Sequence, residues 1–366
     1  MPAAGPSERL ISRFSSILGS VSRALELFYV LKSEKPAARL VLASGVLPSL
    51  RSLCDDIGIF LSVESTPVRS LPSTADPFST VGVLDDADAS SCLLGGSAPS
   101  VLHHSPDLRY LCYLSKKPPV GAAQSEPLLS EQARAAERTG DHVELGRLLG
   151  YPPCCTAFFA KHFPAARANV SSALPLTLDL VLPALHHSQS GVSDQGHAYP
   201  SCMNIFIRSF DRHLISHAPC SFHCPASAHQ ARLRSVLLEQ HAPSLHAQIR
   251  ELQGHAVLYA EHSGPVLLDG EMLPVHSSVS ISPVASAEPA VLRYRIRHLF
   301  TPLPNTLSER VRAQLAAGND VLQVRYVRQR SDHESGASAL PQVMMLDEKT
   351  SRCGELIQGA VFLSFA

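Results

Sequence analysis

GYPPCCTAFF, residues 150–159, sets two adjacent thiols, Cys154 and Cys155, behind two prolines and ahead of two phenylalanines. Glycine commonly follows a helix end and proline commonly opens a helix. The stretch therefore reads as a junction. A helix over about residues 141–149 stops at Gly150, and a second opens at Pro152 and Pro153 with both cysteines in its first turn. That reading makes the middle of the chain helical. LSEQARAAERTGDHVELGRLLG (129–150) predicts one or two helices, and SSALPLTLDLVLPALHHSQ (171–189) a proline-interrupted one. PASAHQARLRSVLLEQ (225–240) and PSLHAQIRELQ (243–253) each begin at proline.

Outside this middle the pattern changes. Leu10, Ile11, Phe14, Ile17, Leu18, Val21, Leu25 and Leu27 stand at helical spacing and predict a helix over 7–32. ARLVLAS (38–44), VLPSLRSLCDDI (46–57) and GIFLSVE (58–64) then read as strand, helix and strand. TVGVLDD (80–86) and LRYLCYLS (108–115) add strand candidates, and KKPPVGAAQSEP (116–127) reads as a linker. Beyond residue 255 the apolar runs are short and β-like: AVLRYRIRHLF (290–300), DVLQVRYV (320–327), QVMMLDE (342–348) and GAVFLSFA (359–366). In GPVLLDGEMLPV (264–275), Asp269-Gly270 between two apolar runs predicts a hairpin turn. The segments 277–289 and 330–341 read as loops. The expectation is an α+β (or α/β) fold in three parts: an N-terminal α/β layer (1–118), a central helical cysteine module (128–254) and a C-terminal β-rich region (255–366).

Composition bounds the function. The 366 residues are 45% hydrophobic and 17% charged, which supports a packed core and excludes a disordered chain. A formal charge of -1 gives no bulk attraction to nucleic acid or to an anionic membrane. Arg325, Arg328 and Arg330 in QVRYVRQR (323–330) form a small basic stretch, read as the solvated end of a strand. The N-terminus has no signal-peptide h-region, and no apolar run approaches the ~18 residues of a membrane span. A cytoplasmic protein is expected. In that compartment nine unevenly spaced cysteines point to metal or redox chemistry before disulfides. Gly95-Gly96 lacks the lysine and the glycine spacing of a phosphate loop, and Asp85, Asp86 and Asp88 lack the spacing of a calcium loop.

The second cysteine cluster is HAPCSFHCPAS (217–227), with Cys220 and Cys224 separated by three residues and His217 just upstream. Cys224 directly precedes Pro225, at the predicted N-cap of the following helix. Helix N-termini present unpaired N–H groups and the positive dipole end, which favour thiolate, the form that binds metal. Cys154, Cys155, Cys220 and Cys224 thus make a candidate four-thiolate site for an iron–sulfur cluster or for tetrahedral zinc. The spacers of zero and three residues favour a [4Fe–4S] cluster, because adjacent side chains diverge and each can take a different iron. Zinc is the alternative. His217 is a candidate extra ligand or outer donor. Tyr151 either donates to a sulfur or packs with Phe158 and Phe159. A cysteine nucleophile activated by His217 or His162 is a third, metal-free reading. His213 and His217, four apart, have the spacing of a shared helix face but lack the H-E-x-x-H context. Cys54, Cys92, Cys112, Cys202 and Cys353 read as core fillers.

The compound pattern resembles a little-characterised archaeal and bacterial family carrying only a domain-of-unknown-function label. Its shared grammar is G-Y-P-x-C-C followed by H-x-P-C-x-x-x-C-x-x-S, over about residues 141–240 here. The resemblance implies Gly150, Tyr151, Pro152, Cys154, Cys155, His217, Pro219, Cys220, Cys224 and Ser227 as the motif positions. Asn204 lies between the two halves, and it and Ser227 are candidate outer supports of the site. The cysteine pattern also looks like that of iron–sulfur reductases acting on modified tRNA bases, by analogy alone because their second pair is spaced differently. Reductive or sulfur-handling chemistry on a small molecule or modified nucleoside is one expectation. A non-catalytic zinc-stapled binding protein is the other.

Overall fold

The computed structural model describes residues 5–68, 108–118, 127–168, 184, 198–259, 266–273, 291–299, 309, 312–313, 321–325, 342–346, 353–357 and 361–365. The fold is mixed α+β. Two helices lead, α1 (Pro6–Leu18) and α2 (Val21–Leu31). The periodicity over 7–32 predicts one helix, and the chain instead breaks at Gly19-Ser20. Ser20 caps α2 by accepting from the Arg23 N–H. Asp211, 190 residues downstream of Val21, accepts from the Val21 N–H at 2.5 Å and the Ser22 N–H at 3.0 Å. A distant carboxylate thus satisfies the orphan donors of a second helix start.

Strand β1 (Ala37–Ala43), helix α3 (Leu47–Asp56), β2 (Ile59–Val68) and β3 (Arg109–Lys116) follow. The sheet order is β1-β3-β2 with both pairings antiparallel. The β-α-β rhythm is present, but β3 sits between its two strands. Antiparallel neighbours make this layer α+β rather than α/β. The strand candidate at 80–86 lies outside the described residues. Helix α4 (Leu129–Arg138) covers the sheet. Arg39 holds Glu137 bidentately, 2.6 Å for each bond, and the Tyr113 hydroxyl donates to the same carboxylate at 2.7 Å.

Helix α5 (His142–Leu148) is capped by Asp141, and α6 (Pro153–Ala168) starts at the predicted proline. Gly150 between them has φ +72, and a Cβ there would lie 2.7 Å from Pro36 Cδ. Glycine is required twice over, for the left-handed turn and for the approach of the β1 lead-in. Of the predicted helix at 171–189, only Ala184 is described, and it is helical. After a short β4 (Ala198–Tyr199) the chain makes two 3-10 turns, Ser201–Met203 and Ile205–Phe210. Helices α7 (Pro225–His241) and α8 (Pro243–Gln253) follow. His213 and His217 lie in the irregular segment before α7, so they share no helix face.

The C-terminal region adds β5 (Ala256–Tyr259), β6 (Val266–Leu273), β7 (Val291–Leu299), β8 (Val321–Arg325), β9 (Gln342–Leu346), β10 (Cys353–Ile357) and β11 (Val361–Phe365). They form an eight-stranded sheet with β4, ordered β10-β9-β8-β7-β6-β5-β11-β4. Every pairing is antiparallel except β11 with β4. The predicted hairpin at Asp269-Gly270 does not form. Strand β6 runs straight through it, and the register shifts there against β7. A Cβ on Gly270 would lie 2.1 Å from Arg295 O, so this glycine serves a close backbone approach at a bulge. One hydrophobic cluster joins α1, α2, β1, α7, β5 and β11, so all three sequence regions contribute to the same core. Among the described residues no helix is long and apolar enough to cross a membrane.

Candidate metal centre

The two cysteine clusters meet. The Sγ atoms of Cys154, Cys155, Cys220 and Cys224 all lie within 4.8 Å of one another. Cys154 is 3.9 Å from Cys155 and 3.6 Å from Cys224, and Cys155 is 3.7 Å from Cys224. The folding reason is local. Pro153 opens α6 so that Cys154 and Cys155 occupy its first turn, and Pro225 opens α7 with Cys224 as its N-cap. Two long helices therefore aim their positive ends at one cluster of sulfurs. The adjacent pair converges rather than diverging, contrary to the steric expectation, because the first turn of α6 brings both side chains round to the same partner.

The sulfurs differ in surroundings. Cys155 and Cys224 are buried, Cys220 is half-buried and Cys154 is exposed. Cys155 Sγ accepts from the Cys220 N–H at 3.4 Å and lies 3.1 Å from Ser227 Oγ. Ser227 is fully buried and its hydroxyl sits 2.8 Å from His217 Nε2. The packed thiols share protons unevenly. The hydrogen bond with Cys155, helped by the Ser227 hydroxyl and N–H, holds the Cys224 thiol down at about 4. The same bond, with burial, pushes the Cys155 thiol up. Burial and the neighbouring Cys224 push Cys220 up to about 12. Uneven proton sharing is the expected consequence of crowding like groups, and a bound cation would relieve it.

The outer residues sort differently from the sequence expectation. Ser227 touches Cys155, and His217 stands one hydrogen bond behind it. Burial, with Arg234 and Lys35 nearby, lowers the His217 pKa to about 3, so this imidazole is neutral. Tyr151 packs on His217. Its ring lies 5.1 Å from that of His217, with Lys35 Nζ 5.1 Å from its centroid. Phe159 stacks on Phe163 at 4.7 Å, and Phe158 lies against His162. Asn204 is away from the sulfurs in its bonding: its amide donates to Gln253 O and His255 O, and its carbonyl accepts from the Phe206 N–H. Its role is to tie the 3-10 turn to the end of α8. Cys54 and Cys112 are buried in the core and Cys202 is half-buried. Cys353 falls on β10, while Cys92 lies outside the described residues.

Behind the cysteines lies a buried charge network that the sequence reading missed. Lys35 Nζ pairs with Glu26 and donates to Ser216 Oγ at 3.0 Å, while His213 Nε2 lies 2.8 Å from the other Glu26 oxygen. Arg234 is wholly buried, donates to Leu214 O at 2.9 Å and lies 4.8 Å from the Tyr29 ring. Burial alone would raise the Glu26 pKa, but Lys35 and His213 outweigh it and hold the carboxyl well below its usual value. These partners are up to 187 residues apart in the chain, so no local spacing announces them. Comparison with protein-family profiles, curated proteins and solved structures finds no match, and the reading of this centre rests on its own geometry.

Proposed function

We propose that this protein is a metalloprotein whose four cysteines hold a single tetrahedral zinc ion. The observation that carries the reading is the sulfur spacing. A Zn–S bond of about 2.3 Å gives a tetrahedron whose sulfurs stand about 3.8 Å apart; the separations among Cys154, Cys155 and Cys224 are 3.6, 3.7 and 3.9 Å, and Cys220 lies within 4.8 Å of all three. Thiolates on a [4Fe–4S] cluster each bind a separate iron and stand wider by the iron–iron separation. In this reading the ion staples the start of α6 to the start of α7 and the loop before it. The G-Y-P-x-C-C resemblance belongs to the same proposal, and the convergence of both motif halves on one cluster of sulfurs supports it.

A second reading, a [4Fe–4S] cluster doing reductive or sulfur-handling chemistry on a small molecule or modified nucleoside, is favoured by one observation. Cys154 is exposed, whereas a structural zinc site is usually closed. Metal and acid-labile sulfide content after anaerobic purification separates the two. One zinc per chain, no sulfide and no colour supports the staple. Iron with sulfide and broad visible absorbance supports the cluster. A protein with neither, indifferent to chelator, overturns both.

A further inference from the structure

The four sulfurs are not equivalent, and the inequality has a direction. Cys155 is 1% exposed and Cys224 is 3% exposed. Cys155 is held from two sides, by the Cys220 N–H and by the Ser227 hydroxyl. The Ser227 hydroxyl is in turn fixed by His217, itself buried against Tyr151. Cys224 is locked into the N-cap of α7. Cys220 packs against the hydrophobic core cluster. Cys154 alone is exposed, and among the described residues its polar contacts are with the sulfurs of Cys155 and Cys224. A ligand with no N–H or O–H donor and open water on one side loses least when it leaves a metal. A ligand clamped by buried donors loses most.

We infer that Cys155, Cys220 and Cys224 are the permanent ligands of the centre, and that Cys154 is an exchangeable one whose place is taken by the thiolate of a small exogenous thiol. This rests on the metal-centre reading above and specifies what that centre binds. The exchange balances without redox change. One metal–sulfur bond to Cys154 breaks, one to the incoming sulfur forms, and the proton lost by the incoming thiol passes to the Cys154 thiolate. The scheme keeps the staple on three fixed protein ligands and adds to it the open fourth position of an exchangeable metal site. His217 and Ser227 are positioning residues in this scheme. Ser227 bonds the sulfurs of Cys155 and Cys224, His217 acts through Ser227, and neither touches the metal or the incoming thiol.

The test uses the full chain loaded with cobalt(II), whose tetrahedral visible bands and thiolate charge-transfer intensity report the number of bound sulfurs. Cys154→Ala should keep one cobalt per chain with charge-transfer intensity reduced by about a quarter, one thiolate in four. Added 2-mercaptoethanol should restore the wild-type spectrum in a saturable way. Cys155→Ala and Cys224→Ala should lose the bound cobalt. In the wild-type holoprotein, iodoacetamide should modify Cys154 first, before metal is released, which tests the order without any variant that must fold. Loss of cobalt from Cys154→Ala equal to that from Cys224→Ala, or alkylation that starts at another cysteine, overturns the assignment while leaving the metal centre intact. A wild-type chain that takes up no metal overturns the centre itself.

Discussion

Two polar clusters lie side by side in this molecule, and they handle charge in opposite ways. The Glu26–Lys35–His213 network pairs its charges internally. Each charge has an opposite charge or a hydrogen-bond partner inside the protein, as buried charge requires. The four cysteines gather like groups instead. Their sulfurs crowd to within 4.8 Å of one another, and the two helix starts aimed at them favour negative charge without supplying a full cation. A site complete in its own residues is structural. Four sulfurs gathered this closely could hold a metal ion.

The sharpest way to break this contrast is to remove the metal. Cys224→Ala, or treatment with a strong chelator, should lower the thermal midpoint by about 10 °C or more, since structural zinc contributes folding free energy directly. Differential scanning calorimetry on holoprotein and stripped protein checks it, and an unchanged midpoint would place the cysteines with the ordinary core. Lys35→Met should cost about 3–5 kcal/mol in urea unfolding, because it strands the Glu26 charge among buried groups. Adding Glu26→Gln to that variant should recover much of the loss, whereas additive costs would show that the pair does not act as a unit.

The pH dependence distinguishes the clusters further. The folded pKa of His217, about 3, lies below its ordinary value of 6.5, so below pH 6.5 the unfolded chain binds a proton that the folded chain excludes. The stability from this group is complete above pH 6.5 and falls as pH drops through the window from 6.5 to 3. The slope is up to about 1.4 kcal/mol per pH unit. Burial also lowers the His213 pKa, so it adds to the slope with the same sign. Glu26, with its folded pKa depressed, loses its contribution only at more acid pH, below its ordinary 4.5. Unfolding of the metal-stripped protein between pH 6.5 and 5 therefore reads the histidines, and His217→Gln should flatten the curve. Asp211→Ala should cost about 1–2 kcal/mol by uncapping α2. Arg147→Ala, which removes an exposed pair with Glu144, should leave the midpoint unchanged within error.

Local grammar carried the site a long way. Pro153 and Pro225 open the helices where the sequence says they do, and both cysteine clusters fall on those openings. The convergence of the clusters followed from chemistry, because four thiols near helix starts make sense as one site. What local grammar misread was set by tertiary contact. Asp269-Gly270 carries a turn signal, yet the β7 backbone, whose Arg295 carbonyl comes up against this position, needs a glycine more than the chain needs a turn. Tyr151 has two phenylalanines nearby in sequence, yet it packs on His217, 66 positions away, because Lys35 and Pro36 bring β1 up beside it. The helix over 7–32 broke for a similar reason, since Asp211 reaches its middle from the segment before α7.

Strand β11 lies between β5 and β4, and its Phe365 ring is 6.0 Å from that of Phe222, two residues before Cys224. Tyr199 completes the group, 5.2 Å from Phe222 and 5.9 Å from Phe365. The contacts of Phe365 and β11 span more than a hundred residues of chain, and closing loops of that length is slow. The wall behind the Cys220–Cys224 turn is therefore among the last parts of the molecule to assemble. The four sulfurs all come from residues 154–224, so they can gather before this wall closes behind the turn that carries two of them.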